Sequence, residues 1–185
     1  QGIALRGHRD DDTNKNEDHN LGNFKTLIQF RIDAGDEILK EHLENSPKNA
    51  TYMSKTAQND ILDCMKADIA RQIVNEINCQ PVGALYGVQV DEVTDCSNHE
   101  QEAVAVRYCK DFKPCERLIE YIDVDRTTGE FLFQSLINSL QNNNLDPINC
   151  RSQTYDGASA MASTTKGVSG RFTEINPLAP YVHCS

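Results

Sequence analysis

No stretch of this 185-residue chain is apolar for long enough to span a membrane, and no secretory signal stands at its visible start. A membrane partner is therefore not expected. The chain also lacks any run of Lys and Arg: 18 basic residues against 28 acidic ones give a formal net charge of −10. A free-standing DNA binder draws much of its affinity from neutralising phosphates, so tight DNA binding by this chain alone is disfavoured. Cysteines occur at 64, 79, 96, 109, 115, 150 and 184, an odd number with no Cys-x-x-Cys spacing. A disulfide framework and a structural zinc knuckle are both excluded as first readings, and reduced thiols in an intracellular protein are the expectation. There is no glycine-rich phosphate loop, since Gly157 stands alone in that respect. No initiator Met precedes Gln1, so the chain is read as a piece of a longer product.

What is present describes a globular protein on the polar side, with 38% hydrophobic and 25% charged residues. That length can bury one substantial core beside a smaller helical part. Residues 1–21 form a polar lead-in containing Asp10-Asp11-Asp12. Residues 22–82 have helical spacing. Phe24, Leu27 and Ile28 are followed by Ile38, Leu39 and Leu43, with Gly35-Asp36 as a break; Pro47 and Asn49 then mark a turn. Between Ser54 and Asn78, apolar residues recur every fourth position at Ile61, Met65, Ile69, Ile73 and Ile77. This predicts a long helix with one buried stripe.

After Gly83 the period shortens. Ala84–Asp91, Glu102–Lys110 and Arg117–Val124 read as three strands in an antiparallel meander. Thr127 and Glu130 have capping-box spacing, and the helix they would open carries Leu132, Phe133, Leu136, Ile137 and Leu140. A strand from Ile148 to Tyr155, a helical region in 158–175 and a final strand over Leu178–Cys184 complete residues 83–185. The expected fold class is α/β: a helical N-terminal segment, then a partial ribonuclease-H-like core of order β-β-β-α-β-α-β.

In that order the first and fourth strands are neighbours. Asp91 closes the first and Asp156 follows the fourth, so the two carboxylates should meet at one edge. Magnesium favours such hard oxygen donors, and a two-ion site can activate one oxygen while stabilising the leaving one. Asp91 and Asp156 are the candidate catalytic and metal-binding residues.

The sequence resembles the transposase-derived domain of the hAT superfamily of DNA transposases. The resemblance is carried, in order along the chain, by Gly2-Ile3-Ala4-Leu5-Arg6-Gly7-His8, Gly22-Asn23-Phe24, Leu39-Lys40-Glu41-His42-Leu43 and Asp91-Glu92-Val93-Thr94-Asp95. It continues through Thr127-Thr128-Gly129-Glu130, Asn149-Cys150-Arg151, Tyr155-Asp156-Gly157-Ala158-Ser159 and Tyr181-Val182-His183-Cys184. It implies that Asp91 and Asp156 match the first two members of an Asp-Asp-Glu triad. In active members that triad uses magnesium or manganese to cut transposon ends and join them to target DNA. It also implies that Cys184 opens a Cys/His motif. Three departures stand out. No third acid follows on a later helix, Ala160 replaces the usual Asn after Gly-Ala-Ser, and no zinc-finger DNA-binding module is present.

Two readings therefore stay open. One is a fragment of a hAT-like DNA transposase or domesticated derivative, inactive alone, whose ancestor worked on DNA with Mg2+ or Mn2+. The other is a non-catalytic protein-interaction or DNA-associated regulatory module, with protein partners or a second copy of itself. Both place it inside the cell, in the nucleus. Other constellations carry less. Glu92, Asp95, Glu100 and Glu102 read as a solvated acidic turn, and Asp123-Val124-Asp125 as a loop. Arg151, Lys166 and Arg171 read as ordinary surface. Cys96 and His99 share a loop without an orienting third group, which argues against a nucleophilic site.

Overall fold

The helical period that runs to Asn78 gives way, after Gly83, to alternation of buried and exposed residues, and the backbone changes with it. The computed structural model describes residues 22–81, 83–94 and 99–184. It divides into two units, Gln1–Cys64 and Met65–Ser185, with the division inside a helix.

The described part of the first unit is helical. Helix α1 (Gly22–Asp33) and helix α2 (Glu37–Asn45) are separated at the predicted break, where Gly35 takes a φ of +97°. Asp36 caps α2, its carboxylate accepting from the Leu39 amide at 3.0 Å and pairing with Arg31 at 2.6 Å. The cap and the guanidinium together lower the Asp36 pKa from its ordinary value. A short 3-10 turn at Lys48–Ala50 leads into helix α3 (Lys55–Asn78). The expectation of one continuous buried stripe on α3 needs correction. Ile73, Val74 and Ile77 are buried, whereas Ile61, Leu62, Met65 and Ile69 are exposed. Only the C-terminal part of α3 buries its apolar stripe, and periodicity reports a face without reporting what covers it.

The second unit is built on strands β1 (Tyr86–Thr94), β2 (Glu100–Lys110), β3 (Lys113–Asp123), β4 (Cys150–Tyr155) and β5 (Tyr181–His183). They form one mixed sheet in the order β3-β2-β1-β4-β5. The first three make the predicted antiparallel meander, while β4 joins β1 and β5 joins β4 in parallel. Helix α4 (Gly129–Asn142) lies between β3 and β4. The predicted helical region after β4 is two short helices, α5 (Ser159–Ala162) and α6 (Val168–Ile175). The helical lead followed by a five-stranded mixed sheet is the expected α/β architecture.

One face of the sheet is dry. Val88 and Val90 of β1 and Val104, Val106 and Tyr108 of β2 pack with Leu132, Leu136 and Leu140 of α4 and Phe172 of α6. Polar ties hold the helices to this face. Glu120 of β3 takes Lys66 of α3 at 2.8 Å and the Ser139 hydroxyl of α4 at 2.8 Å. Glu76 of α3 accepts from the Tyr108 hydroxyl at 2.6 Å and from Lys110 at 2.7 Å. These two donors hold the Glu76 carboxyl below its usual range. Burial followed by that carboxylate pushes Tyr108 up to about 12. The other face carries Ala103, Ala105, Leu118 and Tyr121, of which Leu118 and Tyr121 are exposed.

The start of α4 corrects the predicted capping box. Thr128, not Thr127, is the N-cap, its hydroxyl accepting from the Phe131 amide at 3.4 Å. Glu130 then sits one position too early to reach back to the cap, and faces Arg171 at 3.8 Å instead. Two adjacent threonines offered two registers. Thr128 takes the cap, and Leu132, Leu136 and Leu140 are buried.

Candidate functional site

The parallel pairing of β1 with β4 positions the two acids. Val88 lies opposite Gln153 and Gln89 opposite Thr154, a constant offset of 65. Carried two residues further, the same offset sets Asp91 against Asp156. Neighbouring strands run about 4.8 Å apart, so the two backbones are adjacent. Asp91 also lies opposite Ala103 of β2, on the exposed side of the alternation that buries Val90.

Asp156 leaves the end of β4 in a tight turn. Its carboxylate accepts from the Ala158 amide at 3.1 Å, an Asx turn that sets up α5. The Tyr181 hydroxyl donates to the Asp156 carbonyl at 3.0 Å. The Cys184 amide donates to the Tyr155 carbonyl at 2.9 Å. A Cβ at Gly157 would stand 2.8 Å from His183 Nε2, the far end of an exposed side chain that can turn aside.

Two further glutamates stand next to this edge. Glu92 and Glu102 are cross-strand partners on β1 and β2, an unfavourable arrangement for like charges. Partial burial, then Asp156, Glu100 and Asp91, raise the Glu92 pKa. Glu102 is only 1% exposed, and its Oε2 has no hydrogen-bond partner among the described residues. Burial, with Glu92 second, pushes its carboxyl up to about 7. The Tyr155 hydroxyl, buried on the same face, also lacks a described partner, and burial raises its pKa well above the phenol range.

The reading of Glu92, Glu100 and Glu102 as a solvated turn is therefore corrected: all three lie in strands. Asp95 and Cys96 lie outside the described residues. The signal for Glu102 was in the sequence. Glu102, Val104, Val106 and Tyr108 alternate with polar or small residues, which turns the glutamate inward with the valines. Two of the three cations that flank Asp156 in the sequence bond backbone carbonyls. Arg151 donates to the Ile148 and Cys150 carbonyls at 2.7 and 2.8 Å, and Arg171 donates to the Lys166 carbonyl at 3.3 Å.

The donor set at this edge suits a hard divalent cation in kind, being carboxylate oxygen throughout. It falls short in number. Among the described residues no three His, Cys, Asp or Glu side chains converge closely enough to hold a metal ion.

The chain matches the family described as DUF4371: ZMYM1/FAM200, RNase-like domain, over residues 1–167. It belongs to that family. The match takes in the strands that carry both acids, and agrees with the transposase-derived resemblance seen in the ordered motifs. Among curated proteins, the 52 kDa repressor of the inhibitor of the protein kinase from Homo sapiens is 27% identical over 188 residues, covering 100% of this chain. The Mus musculus protein of the same description matches to the same extent. The chain spans about a quarter of the length of these relatives, 24% in each. Among the described residues no helix is long and apolar enough to cross a membrane.

Proposed function

We propose that this chain is the RNase-like domain of a domesticated hAT transposase, and that Asp91 and Asp156 are what remains of its magnesium- or manganese-binding edge. The observation that carries this reading is the parallel β1–β4 register, whose offset of 65, carried two residues past its last pair, sets Asp91 level with Asp156; β1 itself runs on to Thr94, beyond the end at Asp91 that the sequence suggested. Asp91 and Asp156 would hold the cation, which in the ancestor supplied the Lewis acidity for DNA strand cleavage and transfer. With two carboxylates and no third converging donor among the described residues, the chain alone binds a cation weakly and does not cut DNA.

A second reading is favoured by that same shortfall and by Ala160 in place of Asn. The domain then serves as a regulatory module in the nucleus, docking on DNA-bound assemblies or on another protein. The two readings part on the cation. Manganese titration followed by electron paramagnetic resonance should detect weak binding by the wild type that is lost in both Asp91→Asn and Asp156→Asn. Equal binding by all three proteins would remove the metal-edge reading and leave the module.

A further inference from the structure

The hairpin joining β2 to β3 is as tight as a hairpin can be. Lys110 pairs with Lys113, leaving Asp111 and Phe112 as the whole loop. Both loop residues are left-handed, with φ of 51° and 60°. That is the type I′ geometry, which favours Asn-Gly because it needs positive φ at both positions. Asp tolerates the left-handed region through its short polar side chain. Phe does not, and a bulky residue there is a genuine outlier. The strain is not offset by packing, since Phe112 is 100% exposed. Neither folding nor solubility accounts for a strained, bare phenyl ring at a turn that glycine would suit better. Strain of this kind points to a role outside the fold.

The charge around the ring suggests its partner. Between Arg107 and Arg117 the hairpin carries four cations (Arg107, Lys110, Lys113, Arg117) against two carboxylates (Asp111, Glu116), a local excess of positive charge on a chain of net charge −10. Arg107 pairs with Glu116 and Lys110 with Glu76. Lys113, beside the ring, has no ion-pair partner among the described residues. An exposed aromatic face next to cations is the arrangement that holds unpaired nucleotides, the ring stacking on a base while the cations meet phosphate. A protein pocket could also receive a bare ring, but it has less use for the flanking lysines.

We propose that the β2–β3 tip is a contact for single-stranded or unstacked nucleic acid, with Phe112 as the stacking platform and Lys113 as the phosphate contact. The tip sits at the end of the sheet opposite Asp91, because β2 runs antiparallel to β1. This contact rests on the reading of the domain as one that meets nucleic acid, but not on the acid pair. The manganese titration tests the acids alone, so failure of one reading is separable from failure of the other.

The chain contains no tryptophan, so Phe112→Trp places a sole indole at the tip. Oligothymidylate should quench its emission, with the effect weakening as salt rises. In anisotropy titrations with fluorescein-labelled oligothymidylate, Phe112→Asn should bind about tenfold more weakly than the wild type. Because Asn accepts the left-handed conformation, the same variant should melt at a higher temperature, which rules out misfolding as the cause. Unchanged oligothymidylate binding by Phe112→Asn would overturn the proposal. So would equal quenching of the Phe112→Trp indole by polyglutamate, which offers charge without bases.

Discussion

Glu102 gives the sharpest test of the electrostatics at the acidic edge. Its carboxyl titrates near 4.5 when unfolded and at about 7 in the fold, raised first by burial and then by Glu92. Below pH 4.5 both states are protonated and the group contributes its full share to stability. Between 4.5 and 7 the unfolded chain has released the proton while the folded chain still holds it. Stability therefore falls as pH rises through that window and levels off above it. Raised from 4.5 to about 7, the carboxyl costs the fold about 3 kcal/mol once it is ionised in both states. Glu102→Gln keeps the shape of the protonated acid and removes the titration. Urea unfolding at pH 5 should find the variant ahead by only about 1 kcal/mol, since the unfolded carboxyl is already mostly ionised there. At pH 8 the variant should be the more stable by about 3 kcal/mol. Glu92, whose pKa is also raised, adds a slope of the same sign, and because it faces Glu102 across the strands its contribution shrinks when Glu102 is neutralised. If the two proteins lose stability in parallel between pH 5 and pH 8, Glu102 is already charged in the fold and this account of the edge is wrong.

Asn176 is a second test, of structure alone. It is 2% exposed, and its amide donates to the carbonyls of Pro147, Ile148 and Cys150 at 2.8, 3.1 and 2.9 Å, while its oxygen accepts from the Leu178 amide at 3.0 Å. Asn176→Ala should lower the unfolding free energy by about 2–4 kcal/mol in chemical denaturation, because buried backbone groups lose their partner. At the start of α4, Thr128→Ala should cost about 1 kcal/mol and Thr127→Ala almost nothing. Equal losses from the two threonines would restore the capping box that the structure displaces.

Much of the fold was legible because local rules and tertiary packing agreed. Gly35-Asp36 broke the first helical region in the sequence as it does in space, and the Val-rich alternation of β1 and β2 marked a half-buried sheet. That β1 and β4 are neighbours could be inferred from strand order, although the offset of 65 could not. The failures have physical causes. The outer half of the α3 stripe is as periodic as the buried half, because periodicity does not record which turns are covered. Thr127 and Thr128 are adjacent and equally suited in kind to cap, so residue type could not choose between them. The depth of Glu102 was present in the alternation, but charge suggested solvent more strongly than position suggested core. Nothing local in Lys110-Asp111-Phe112-Lys113 indicated a bare ring on a strained turn, since that depends on the register of the paired strands.

The ladder between β1 and β4 does not keep one offset throughout. Tyr86 lies opposite Cys150, an offset of 64, and Gly87 opposite Ser152, an offset of 65, so the pairing shifts between them. Had the first offset persisted, Asp91 would face Tyr155, and Asp156 would lie beyond its reach on the other side of the pleat. The address of both carboxylates is thus written four residues upstream, at an irregularity with no charge of its own. Selection on this edge would act on the length of β1 between Gly87 and Asp91 as much as on the aspartates. A single-residue insertion there would scramble the pair while leaving every acidic residue in the chain.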